Sequence, residues 1–136
     1  MSFFVEWNDY LKVNVEALDE QNRQLTKLIN KTYNALLKEE NSLDFEGVVF
    51  EELFSYAREH FLIEEELMAQ NSYHGLEDHK SEHNDYEARL REIFQKHQSG
   101  LSVATEVLQH LKWWLKSHVL KKDKDLGIFL NSRGIN

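Results

Sequence analysis

At 136 residues the chain has the length of a single domain with a modest buried core. It contains no proline, no cysteine and only five glycines, which favours helix over turn-rich β structure and excludes disulfides and thiolate metal sites. A formal net charge of −8 argues against nucleic acid or an anionic membrane as partner, and no apolar run approaches the ~18 residues of a membrane span.

The first ten residues lack the basic start and long apolar stretch of a signal peptide, so the default location is cytoplasmic. An N-terminal arm carries Phe3, Phe4, Val5 and Trp7, aromatic and apolar residues expected to pack across a helical body. A first helix is predicted over about 19–38. Asp19 and Glu20 put negative charge at its start, where the helix dipole favours it. Its inner stripe reads Leu18, Asn22, Leu25, Ile29, Thr32 or Tyr33, and Leu36, in steps of three and four. Asn22 therefore lies in an apolar stripe.

A second helix is predicted over about 45–70, with the stripe Leu53, Ala57, His60, Glu64, Leu67. A third is predicted over about 76–96, with His79, His83, Tyr86, Leu90, Ile93 and His97. A fourth is predicted over about 103–122, with Val107, Leu111, Trp114 and His118, and Asp123 near its end. The breaks Glu39–Asp44, Asn71–Gly75 and Gln98–Ser102 are short and polar, as connections in an antiparallel bundle are. The tail, with Leu126, Ile128, Phe129 and Leu130, suits a short closing helix. The predicted fold is all-α: one four-helix bundle with an N-terminal arm and a short C-terminal segment.

The polar residues on inner faces carry the chemistry. Burying an ionised carboxylate without a partner is costly, so Glu64 on a core face needs a counter-charge. His60 and Glu64 are four apart, as are His79 and His83, so each pair lies side by side on one helix face. His118 and Asp123 are five apart, so Asp123 is expected to reach in from the helix end. A lone histidine, such as His97 or His110, reads as a core or surface residue, and His74 reads as a turn residue. Ligand types converging from three helices read as metal. Nitrogen and oxygen ligation suits iron, manganese or zinc. Four histidines and two carboxylates exceed the needs of one tetrahedral zinc, and two metals bridged by carboxylates fit better. The Glu-x-x-His motif of the ferritin-like di-iron class is absent.

These residues resemble the bacterial hemerythrin family. The resemblance is carried by Leu18-Asp19-Glu20-Gln21-Asn22, by His60-Phe61-Leu62-Ile63-Glu64-Glu65, by His79-x-x-x-His83, and by Trp114-x-x-x-His118 followed by Asp123. Trp7 and Tyr73 also match, and the likeness runs from about Trp7 to Phe129. It implies an up-down-up-down bundle around two non-haem iron ions with an oxo or hydroxo bridge. It assigns His79, His83 and His118 to one iron, His60 to the other, and Glu64 and Asp123 to both as bridges. Trp114 and Leu25 would wall the pocket.

Asn22 departs from the family pattern, which has histidine there. An amide is a weak ligand, so water or another small ligand is expected at that position on the His60 iron. The implied function is binding of dioxygen, or sensing of oxygen or redox state, with rapid autoxidation. Nitric oxide or small anions are further expected ligands, and a signalling output domain is an expected partner. The alternatives are a di-iron peroxidase, oxidase or nitric oxide-reactive enzyme, and oxygen or iron storage or transport. No general acid or base is evident beside the ligands, which favours a binding or sensor domain over an enzyme.

Overall fold

Apolar residues recurring every three or four positions fold into long helices, and no strand is present among the described residues. The computed structural model describes residues 5–37 and 42–136. Phe3 and Phe4 of the arm, Lys38, and the 39–41 part of the first break lie outside them. Helix α1 spans Glu16–Leu37, α2 spans Leu43–Gln70, α3 spans Leu76–Gln98 and α4 spans Ala104–Trp114. From Leu115 to Asp123 the backbone winds as a π-helix, and α5 follows over Lys124–Ser132. Trp114, Leu115, Asp123 and Lys124 all keep right-handed helical dihedrals, so α4, the π segment and α5 form one continuous fourth helix.

Neighbouring helices run antiparallel. Tyr56 meets Asn22 while the earlier Glu52 meets the later Lys31. Glu64 meets His83 while Glu46 meets His97. Glu82 meets His118 while Lys96 meets Glu106. The predicted all-α antiparallel bundle is thus the observed one. Helices α2 and α3 each run two residues longer than predicted, starting at Leu43 and ending at Gln98, and two boundaries differ by more. Helix α1 begins at Glu16, ahead of Asp19. The fourth helix does not stop near Lys122 but runs on through Ser132, and the expected closing helix is its last part.

The interior has two apolar clusters. The larger includes Leu25, Ile29, Leu53, Ala57, Tyr86, Leu90, Leu111 and Trp114. The smaller holds Val13, Val15, Leu18, Met68, Leu126 and Leu130. Asn22, His60, Glu64, His79, His83, His118 and Asp123 form a polar layer between the two. Asn22 falls between Leu18 and Leu25, and Glu64 between Ala57 and Met68. Leu36, Leu67, Ile93 and His97 of the predicted stripes are only partly buried.

The arm fastens the outside. Asn30 exchanges hydrogen bonds with the backbone of Val5, and Trp7 packs on the larger cluster under the Arg23 guanidinium. The Asp19 carboxylate accepts the N–H groups of Val13 (2.7 Å) and Asn14 (3.2 Å). There the arm presses on α5, since a Cβ at Gly127 would collide with the Val13 carbonyl oxygen. Asn131 closes the strap by donating to the Asn14 carbonyl.

At the opposite end, buried Glu46 of α2 stands under the start of α4. It accepts the Val103 N–H with both oxygens and the Ser102 hydroxyl, and lies 3.2 Å from His97 Nδ1. Glu46→Ala removes the acceptor of the buried Val103 N–H and is expected to cost about 2–3 kcal/mol, read as a lower denaturant midpoint with an unchanged slope.

His110 gives a second test. Burial, and then the Arg89 charge, pulls its pKa down to about 4. The unfolded chain takes up this proton below pH ~6.5 and the folded chain only near 4. Stability from this group is therefore full above pH ~6.5 and falls by about 3 kcal/mol as pH drops to 4. In His110→Leu, unfolding free energy should vary less steeply over that window than in the parent chain.

Candidate metal centre

Glu64 is fully buried in the C-terminal part of α2, where its backbone is held by helix on both sides. His60 lies one turn earlier, 2.9 Å from it through Nε2. From α3, His79 Nε2 lies 3.3 Å and His83 Nε2 3.1 Å from the Glu64 oxygens. From the π segment, His118 Nε2 lies 3.8 Å away. Asp123 comes in from the same segment, 2.8 Å from His118, 3.2 Å from His79 and 3.4 Å from His60. All six side chains are at most 2% exposed. The sequence-predicted residues thus meet in one buried cluster.

The π geometry is what admits Asp123. In an α-helix, residues five apart are roughly 140° apart around the axis. With i→i+5 winding, they fall on one face. Asp123 therefore does not reach in from a helix end, as its spacing suggested. It sits inside a continuous helix, one π turn after His118.

Each imidazole directs Nε2 inward. Three of them are fixed from outside through Nδ1: His60 by Gln21 (2.7 Å), His83 by Glu65 (2.8 Å) and His118 by Glu82 (2.9 Å). Such outer acceptors set the tautomer that leaves an inward lone pair. Ring faces are covered too. Phe61 stacks on His83 at 3.9 Å between centroids, and Trp114 on His118 at 3.8 Å. Leu25 is fully buried in the larger apolar cluster.

Glu64 Oε2, Asp123 Oδ1, His79 Nε2 and His118 Nε2 are buried with no hydrogen-bond partner. Yet they crowd to within 2.8–3.8 Å of ligand-type atoms across the cluster. Atoms of this kind converging without bonding each other fit a cation between them. Two groupings satisfy metal-ligand spacing. Glu64 with His79, His83 and His118 is one, and His60 with Glu64 and Asp123 is the other. Glu64 belongs to both.

The charges agree. Burial opposes ionisation of both carboxylates, and Glu64 further opposes it in Asp123. The imidazoles outweigh this, holding Glu64 well below the usual range and Asp123 down at about 2. Burial likewise disfavours a charged His60, yet Glu64 and Asp123 hold it up at about 9. The cluster thus keeps two negative charges and demands positive ones, which protons supply in the absence of a metal.

A profile described as the hemerythrin HHE cation binding domain matches residues 13–127. The chain belongs to the hemerythrin family. Among its hemerythrin relatives, a bacteriohemerythrin of Pseudomonas aeruginosa is 31% identical over 86% of this chain and 75% of its own. One from Clostridium acetobutylicum is 30% identical over 88% of this chain and 95% of its own. A myohemerythrin of Theromyzon tessulatum is 28% identical over 87% of each. No helix among the described residues is long and apolar enough to cross a membrane.

Asn22 is buried against Tyr56, whose hydroxyl donates to the amide oxygen at 3.0 Å. Tyr56 also receives the Trp114 indole N–H at 3.4 Å and stacks on His60. Tyr56, Gln21, Glu65 and Glu82 were missed in the sequence. Tyr56 lies one turn before His60, so the helical period could have found it. The other three are sequence neighbours of Asn22, Glu64 and His83, but their pairing across helices leaves no local signature. His74 stays exposed at the turn, against Tyr73 and Phe129.

Glu82→Ala removes the acceptor that orients His118. It is expected to weaken metal retention about 10–100-fold while leaving the helical circular dichroism unchanged, as measured by competition with a chelator.

Proposed function

We propose that the cluster holds two iron ions and that the protein binds dioxygen or senses oxygen or redox state. The observation that carries this is the pair of ligand groupings that share Glu64. His79, His83 and His118 serve one iron, and His60 serves the other. Glu64 and Asp123 would serve both, together with an oxo or hydroxo group from solvent. When bound, a diferrous pair supplies the electrons that reduce dioxygen.

The protein's own contribution is the dry aromatic wall of Phe61, Trp114 and Tyr86, and the polar corner at Asn22. With Asn22 Oδ1 engaged by Tyr56, the amide would leave coordination of an iron beside His60 open to exogenous molecules. Burial first, and then the Asp123 charge, keeps the Tyr56 phenol protonated, so it is a hydrogen-bond donor beside His60. A hydrogen-bond donor beside His60 would favour rapid autoxidation over stable carriage. Nitric oxide and small anions are further ligands on this reading, a signalling output domain is its partner, and the cytoplasm its location.

A second reading, a di-iron peroxidase or nitric oxide-reactive enzyme, draws on Tyr56 as a buried proton donor. Turnover with hydrogen peroxide or nitric oxide that is lost in Tyr56→Phe would favour it over sensing.

The test is to load the protein with ferrous iron, count iron per chain, admit air and follow the optical spectrum. Two irons per chain are expected, with the oxygenated spectrum giving way quickly to a diferric one. Asn22→His should lengthen the oxygenated lifetime on the order of tenfold. A stoichiometry of one, or zinc in place of iron after growth in iron-rich medium, overturns the di-iron reading. A persistent oxygenated spectrum in the parent chain would favour storage or transport.

A further inference from the structure

We propose that the cleft between α1 and α2 is the access port to the buried cluster, that Tyr56 is its gate, and that it admits small uncharged molecules ahead of anions. What the port leads to rests on the metal-centre reading above; the port itself rests on geometry independent of any metal.

The cleft has a volume of about 380 Å³ and is lined by Gln21, Gln24, Glu52, Ser55, Tyr56 and Glu59, among others. Two of these residues touch His60 directly. Gln21 Oε1 lies 2.7 Å from His60 Nδ1, and the Tyr56 ring stacks on the imidazole at 5.1 Å and 13°. Tyr56 is 7% exposed and separates the cleft from Asn22 and Trp114, both at most 1% exposed. By contrast, the α3–α4 groove ends on His110, whose ring neighbours are Tyr86 and Trp113.

The gate has a definable latch. The Tyr56 hydroxyl gives its proton to Asn22 Oδ1 and receives the Trp114 indole N–H. Asn22 Nδ2 is buried without a partner behind it. A molecule that passes Tyr56 therefore meets an unused amide donor beside His60. Opening requires the loss of two hydrogen bonds at one atom, a modest barrier compared with unfolding a helix.

The lining sets the selectivity. It contains two carboxylates and no Lys, Arg or His. Lys31 neutralises Glu52 at 3.3 Å, but Glu59 makes no ion pair among the described residues. A negative cleft walled by protein repels anions and leaves uncharged molecules unaffected.

Metal-free protein tests this. With Trp7→Phe and Trp113→Phe, Trp114 is the sole remaining tryptophan, and its fluorescence reports what crosses Tyr56. Neutral acrylamide is expected to quench it more than iodide does. Tyr56→Phe keeps the ring and removes the latch, and should raise the acrylamide quenching constant roughly fivefold. Tyr56→Ala should raise it further. Glu59→Gln should raise iodide quenching about twofold and leave acrylamide unchanged.

If Tyr56→Phe, folded by circular dichroism, quenches as the parent does, the gate is overturned even if Tyr56→Ala fails to fold. If Glu59→Gln shifts neither quencher or both alike, the charge selectivity is overturned. Iron stoichiometry is measured separately on the full chain. Quenching that responds in a protein binding no iron sinks the metal-centre reading and leaves the port. Two bound irons with unresponsive quenching do the reverse.

Discussion

Two buried carboxylates govern this molecule. Glu64 and Asp123 are wholly removed from water, and each would be strongly destabilising without positive charge beside it. Four imidazoles surround them, and three of those are held by further acceptors, Gln21, Glu65 and Glu82. The result is a polar layer across the bundle with an apolar cluster on either side. Each helix contributes at least one residue to that layer, so the register of every helix is tied to the same point. Sliding α2, α3 or the fourth helix by a residue would pull an imidazole or a carboxylate out of reach and leave a charge unpaired.

The π segment follows from the same constraint. Nine residues of i→i+5 winding are unusual, and their place beside a functional cluster is where such segments concentrate. They bring Asp123 onto the face that His118 already occupies. The cost of the irregular backbone is offset by what the segment is joined to. Beyond it, α5 buries Leu126 and Leu130 and takes the arm across Gly127. The Asp19 carboxylate and Asn131 fasten that arm in turn. The N-terminal strap thus packs on the same continuous helix that carries Asp123.

Asn22 is a polar side chain held inside an apolar stripe, 1% exposed and hydrogen-bonded across to α2. The side chain stays buried in the stripe where the period placed it. Its oxygen turns to a tyrosine hydroxyl, and that tyrosine ties the corner to Trp114 and to the stacked His60 ring. The corner is therefore a hydrogen-bonded unit next to the cluster, and it faces the α1–α2 cleft. On the other ring faces, Phe61 covers His83 and Trp114 covers His118.

The sequence alone determined the helices, because apolar residues at a 3.6-residue period have one way to reach a core. It also determined which side chains face inward, so His60, Glu64, His79, His83, His118 and Asn22 could be read from their places in apolar stripes. It could not determine how Asp123 joins them. A spacing of five fits no α-helical face, and local sequence does not announce a π-helix, which is stabilised by what its side chains meet. Nor could it supply Gln21, Glu65 and Glu82 as outer partners, because those contacts cross between helices and depend on register. The Asn22–Tyr56–Trp114 corner joins three helices, and only their packing brought the three groups within hydrogen-bonding distance.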